Sequence, residues 1–147
     1  MAQTSEVITS VEWRGERTCE ALVGDDKKSR GLIGSAQDAV VREKTWTPPD
    51  MVCASLAACI VLTFLHFVRQ NSIALIKCQA KVTGTLTKGK NGFSFTKFVM
   101  ECEATVESGH REKAEEAWEL GERFCLVSNS LTGEKELKYT VIEEKSE

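Results

Sequence analysis

Residues 47–70 read TPPDMVCASLAACIVLTFLHFVRQ, and the fold turns on how this stretch is read. Thr47 can cap a helix, Pro48 suits the first helical position because it has no N–H to satisfy, and Asp50 completes the capping-box spacing. Residues 51–68 then run 18 positions without a formal charge, and the spacing predicts a helix to about Gln70, ending at Asn71-Ser72. It is apolar all round, so it belongs at the centre of the fold, buried on every side. Eighteen apolar residues are also the lower edge of a membrane span. Ser55, Thr63 and His66, the small residues Ala54, Ala57 and Ala58, and close flanking charges at Asp50 and Arg69 favour a buried helix of a soluble domain, with no membrane partner.

Towards the N-terminus, Val7, Thr9, Val11 and Trp13 alternate with Ile8, Ser10, Glu12 and Arg14, as in a half-exposed strand. Gly15-Glu16 is a turn into a second strand, Thr18–Val23, and residues 29–35 form a third after a polar turn. Residues 37–46 show no clean period. After the helix, Cys78, Ala80, Val82, Gly84 and Leu86 alternate with polar neighbours, and Asn91-Gly92 marks a hairpin turn. The return strand turns Phe98, Met100, Cys102, Ala104 and Val106 inward. Phe93 and Phe95 are out of phase with that set, which places a β-bulge near Thr96. Ala114, Ala117, Trp118, Gly121, Phe124 and Cys125 recur at helical spacing opposite an acidic face, and Leu137, Tyr139 and Val141 alternate in a last strand. The order β-β-β, long helix, β-β, helix, β describes one α+β domain over residues 1–147, with two antiparallel sheet regions.

The chain has 147 residues, 41% hydrophobic and 28% charged, enough to bury a core. A formal net charge of −3 and no basic run give no electrostatic case for nucleic acid. The opening MAQTSEVITS lacks a charged region followed by an apolar one, so the expectation is a cytoplasmic protein with reduced thiols.

Six cysteines are then the chemistry to account for. Cys19, Cys78 and Cys102 fall on strands, where inert core thiols are the ordinary outcome. Cys53 and Cys59 point about 120° apart around the helix and cannot bond within it. Cys59 follows Ala57-Ala58, a small-residue patch that lets another backbone approach, and Cys125 shares a face with Gly121, which does the same. The two thiols can meet, as a redox pair or as neighbouring core residues. There is no CxxC and there are only two histidines, so no metal site is expected.

Three pieces resemble the OsmC/Ohr superfamily of peroxide-defence proteins: Thr47-Pro48-Pro49-Asp50 leading to Ala54-Ser55-Leu56-Ala57-Ala58-Cys59, the strand pair after it, and Phe124-Cys125-Leu126-Val127-Ser128-Asn129-Ser130-Leu131 following an acidic helix. The resemblance covers essentially the whole chain. It implies an OsmC-like α+β fold with an N-terminal meander, a long buried central helix, and an interlocked homodimer with two interfacial sites. It further implies that Cys59 attacks an organic hydroperoxide and becomes a sulfenic acid, that Cys125 resolves it to a disulfide, and that a dithiol reductant reopens the bond without metal or cofactor. Leu56, Phe64 and Trp118 would line the site. The family opens its helix with Pro-Glu, whose carboxylate holds an arginine over the thiolate. Here Pro49 stands in the glutamate's place, and Asp50 is one residue further along. Arg14 or Arg17 would be the arginine and Asp50 its orienter. Two other readings share the fold: a module binding a small apolar ligand at the dimer interface, and a redox sensor.

Overall fold

A computed structural model of the chain describes residues 9–13, 18–23, 30–34 and 45–145. The chain divides into two compact units, residues 1–52 and 53–147, with the boundary inside the long helix.

The first unit carries three antiparallel strands, β1 (Thr9–Trp13), β2 (Thr18–Val23) and β3 (Arg30–Gly34), with β2 in the middle. These are the expected meander strands within the residues described. Helix α1 (Pro48–Gln70) begins at the end of this unit, as its capping sequence requires. Thr47 N donates to Asp50 Oδ2 (3.1 Å) and Asp50 N donates to Thr47 Oγ1 (3.3 Å), a reciprocal capping box. Pro48 and Pro49 have no N–H to satisfy, and Met51 N donates to Thr47 O at 3.0 Å. The start of α1 therefore leaves few orphan donors.

The second unit contains a sheet ordered β4-β5-β6, formed by β4 (Leu75–Gly89), β5 (Gly92–Glu107) and β6 (Glu134–Glu144). The hairpin closes at the Gly89–Gly92 pair, and the left-handed step falls on Gly92 (φ 100°), so Lys90 and Asn91 are the turn residues. Thr85 pairs with Lys97 but Leu86 pairs with Phe95, which leaves Thr96 as the extra residue of the expected bulge. Phe98, Met100, Cys102, Ala104 and Val106 are all buried. β6 corrects the expectation of purely antiparallel sheets, because it runs parallel to β5. The chain crosses between them through α2 (Arg111–Arg123) and a short α3 (Leu126–Ser130), and a crossover of that length returns the next strand in the same direction. α3 was not anticipated by the sequence pattern.

Within this chain α1 buries one stripe, Leu56, Ile60, Phe64 and Val68, at the four-residue spacing of a single helical face. Burial on every side is thus met on one face, and Leu62 on another is 66% exposed. Among the described residues α1 is also the helix long and apolar enough to cross a membrane by length and composition. It ends as expected: Ser72 takes a left-handed φ of 52°, while Ile73 N reaches Val68 O and Ser72 N reaches Arg69 O, the paired bonds of a Schellman motif.

Candidate active site

The site is built where α2 lies on α1. At Gly121 an added Cβ would stand 3.2 Å from Phe64 N and 3.3 Å from Phe64 Cα, so any larger residue would have to push the two backbones apart by a few tenths of an ångström. One turn earlier on α2, Trp118 stacks on Phe64 with ring centroids 3.6 Å apart and planes 8° from parallel. α2 then stops. Phe124 N closes onto Leu120 O, Cys125 N onto Glu122 O, and Cys125 turns to an extended conformation (φ −70°, ψ 114°). Cys125 is therefore not the last residue of the acidic helix but the N-cap of α3. Its Sγ accepts from Ser128 N at 3.4 Å, where a serine or aspartate oxygen usually sits. Phe124, expected on the buried face, is 56% exposed because the helix has ended before it.

This break between helices brings Cys125 close enough to Cys59 for each thiol to act on the other's ionisation. Their ionisation is driven in opposite directions. Burial pushes Cys59 up, but hydrogen bonds to its sulfur from Val127 N–H, Cys125, the Thr63 hydroxyl and Leu126 N–H outweigh it and hold the thiol below its ordinary value. Those N–H groups are available because the first amides of a helix have no partner inside it. Cys125 is fully buried, and burial pushes it up to about 11. The hydrogen bond and charge of Cys59 add to that rise, against the opposing amides of Ser128 and Val127. As pH rises Cys59 is thus the first of the two to ionise, and Cys125 keeps its proton longer.

The other expected site residues fall as follows. Asp50 is at the helix start, and its Oδ2 accepts from both Thr47 N and Thr47 Oγ1, the latter at 2.8 Å. Arg14 and Arg17 lie outside the described residues. Leu56, Phe64 and Trp118 are fully buried, so they are core residues rather than an open lining. The apolar groups at the surface next to Cys125 are Phe124 and Leu126, with Arg123 over the Phe124 ring at 5.3 Å. Four groups were missed: the amides of Leu126 and Val127, Thr63, and Ser128. An amide belongs to no residue type, so nothing in the sequence marks it. Thr63 was detectable, standing one helical turn after Cys59. Among the described residues no three histidine, cysteine, aspartate or glutamate side chains gather to hold a metal ion.

An α+β fold with a dithiol at a helix break defines a recognisable class, and the comparisons identify it. Residues 41–140 match the family model described as OsmC-like protein, and the chain belongs to that family. No curated protein sequence matches it. Solved structures similar to it include an OsmC-like protein of unknown function from Vibrio cholerae (TM-score 0.81, 20% identity, covering 93% of this chain and 100% of that one). Another is an OsmC-like protein from Mycoplasma pneumoniae (TM-score 0.80, 16% identity, 95% and 99% covered). A third is the organic hydroperoxide resistance protein OhrB of Bacillus subtilis (TM-score 0.65, 20% identity, 93% and 98% covered). At these identities the likeness is one of fold.

Proposed function

We propose that this chain is a cysteine-based peroxidase that reduces organic hydroperoxides. The observation that carries the reading is the pairing of the two thiols at the helix break, with Cys59 drawn towards thiolate and Cys125 held as thiol. The Cys59 thiolate attacks the distal peroxide oxygen, the O–O bond breaks, and the alkoxide leaves with a proton as the alcohol, giving Cys59 sulfenic acid. Cys125 sulfur then displaces the sulfenic oxygen as water, forming the Cys59–Cys125 disulfide. A dithiol reductant gives up two electrons and two protons to restore both thiols. Membership in the OsmC-like family, and neighbours named as organic hydroperoxide resistance proteins, agree with this reading.

Neutral donors supply much of the thiolate's stabilisation here, which fits a chain with Pro49 in place of the family glutamate. Arg14 or Arg17 would add charge, with Asp50 confined to its capping role or shared between the two. A second copy of the chain would cover the apolar faces of α1 that this chain leaves open, Leu62 among them.

Steady-state turnover of cumene hydroperoxide with a dithiol tests the proposal. Cys59→Ser should abolish turnover, and Cys125→Ser should allow one oxidation per chain without dithiol recycling through the disulfide. Undiminished turnover in Cys59→Ser would sink it. Peroxide consumption that stops at one equivalent in the wild type, with reductant present, would favour the sensor instead.

A further inference from the structure

Thr63 lies one turn beyond Cys59 on α1, and its hydroxyl bears on two acceptors of the same residue. Oγ1 donates to Cys59 O at 2.7 Å, and from that position the hydroxyl also favours ionisation of the Cys59 sulfur. A threonine hydroxyl has one proton, so it can serve only one of these acceptors at a time. The carbonyl is the dispensable one, because a main-chain carbonyl inside a helix already accepts the N–H four residues on, and a threonine bond to it adds little. A thiolate is the acceptor that gains most, since hydrogen bonds to a charged atom are about twice as strong as neutral ones.

We propose that Thr63 is a positioning residue of the peroxidatic thiol, its hydroxyl proton resting on Cys59 O while the sulfur is protonated and rotating to Cys59 Sγ when the thiolate forms. The proposal rests on the peroxidase reading for its purpose, but not for its measurement. Rotation of one hydroxyl moves no backbone and needs no cation. It also fixes the thiolate's orientation from the α1 side, while the amides of Leu126 and Val127 hold it from α3. When the sulfur becomes a sulfenic acid its charge is gone, and the proton returns to the carbonyl. Among the described residues the titratable group facing Cys59 is Cys125, with Glu122 one bond further away through Ser128 Oγ (3.4 Å).

The test compares Thr63→Val, which keeps the shape without the hydroxyl, with Thr63→Ser, which keeps the hydroxyl. The rate of iodoacetamide alkylation at Cys59, followed by peptide mass against pH, is the primary readout. Thr63→Val should raise the midpoint by about one pH unit, roughly tenfold less thiolate at neutral pH, and Thr63→Ser should return it to within about twofold of wild type. Thr63→Val should lower the rate of peroxide reduction in parallel while leaving the thermal midpoint nearly unchanged, because the helix bond to Cys59 O persists. Should Thr63→Val fold poorly, Thr63→Ala gives the same comparison without a branched side chain. An alkylation profile identical to wild type in both variants overturns the proposal, even if peroxide turnover is intact. A shifted profile in a protein that does not turn over peroxide upholds Thr63 and removes the peroxidase reading alone.

Discussion

Cys59 with Cys125, and Cys78 with Cys102, are two pairs of thiols that one compact unit brings close, and they have opposite chemistry. Cys78 stands opposite Ala104 on the β4–β5 ladder and Cys102 opposite Ala80, so the second pair is a diagonal neighbour pair on one sheet face. Burial raises Cys78, and burial together with the charge of Cys78 pushes Cys102 up to about 12. On β5, paired on both sides, the amides around Cys102 are committed to the neighbouring strands, so none remains to solvate its sulfur. At the start of a helix the amides are uncommitted. A thiol's reactivity in this protein thus follows from where the backbone has donors to spare, more than from how deeply the thiol is buried.

The largest expected effect separates the two pairs directly. A thiol at about 12 holds roughly a thousandfold less thiolate than one at 9, and Cys59 lies below that ordinary value. Alkylation at neutral pH should therefore label Cys59 more than about a thousandfold faster than Cys102, read by peptide mass. The sign of the pH dependence follows from the lowered Cys59 value. Bonds to its thiolate stabilise the fold above the unfolded thiol's value, and that contribution is lost as pH falls through the lower folded value. Comparable labelling of the two cysteines would erase the distinction.

Gly121→Ala should break the comparison from the other side. The new methyl meets the α1 backbone at Phe64, which cannot yield as a flexible side chain would. Overpacking of this kind costs about 1–3 kcal/mol, measurable as a lower denaturant midpoint. It should also lift α2 and Cys125 away from Cys59, so the Cys59 alkylation midpoint rises. A stability loss with an unmoved midpoint would mean that the thiol contact does not depend on this close approach. Cys102→Ala is the smaller counterpart, costing about 1 kcal/mol through a lost core contact while leaving peroxide turnover at the wild-type rate.

Much of this contrast was legible in the sequence. The limits of α1, the inward set on β5 and the unpaired Thr96 all follow from period and capping, because one misplaced residue there would turn an entire face to water. Gly121 pointed to the helix contact through its small size, whereas Ala58 of the Ala57-Ala58 patch is exposed. The direction of β6 was not legible, since a strand's alternation is the same whichever way it runs. Nor was the break at Cys125, where the helical period continues through Phe124 although the helix has ended. The one-sided burial of α1 was missed for a different reason: an all-apolar helix states how much surface must be covered, not that its own chain covers it.

Tyr139 tests whether donor supply is the only rule in the sheet. It pairs with Cys102 across the parallel β5–β6 ladder, so the two stand in neighbouring positions, and its hydroxyl is pushed up to about 12. The first cause is not burial but the hydrogen bond that Tyr139 donates to Glu119 Oε1 at 2.6 Å, followed by burial and the charges of Glu119 and Glu115. A raised value means that the Tyr139–Glu119 bond supports the fold below the unfolded tyrosine's value and is lost as pH rises through about 12. Glu119→Gln removes the charge and leaves an acceptor, so the Tyr139 midpoint should fall from about 12 towards its ordinary value near 10. Tyr139 is the chain's only tyrosine, and phenolate absorbance therefore reports this group alone. The same substitution should leave Cys102 as inert as before, because its rise comes from burial and from Cys78. If Cys102 became readily alkylated in Glu119→Gln, the sheet thiols would be governed by the acidic helix, and the contrast between ladder and helix break would have to be redrawn.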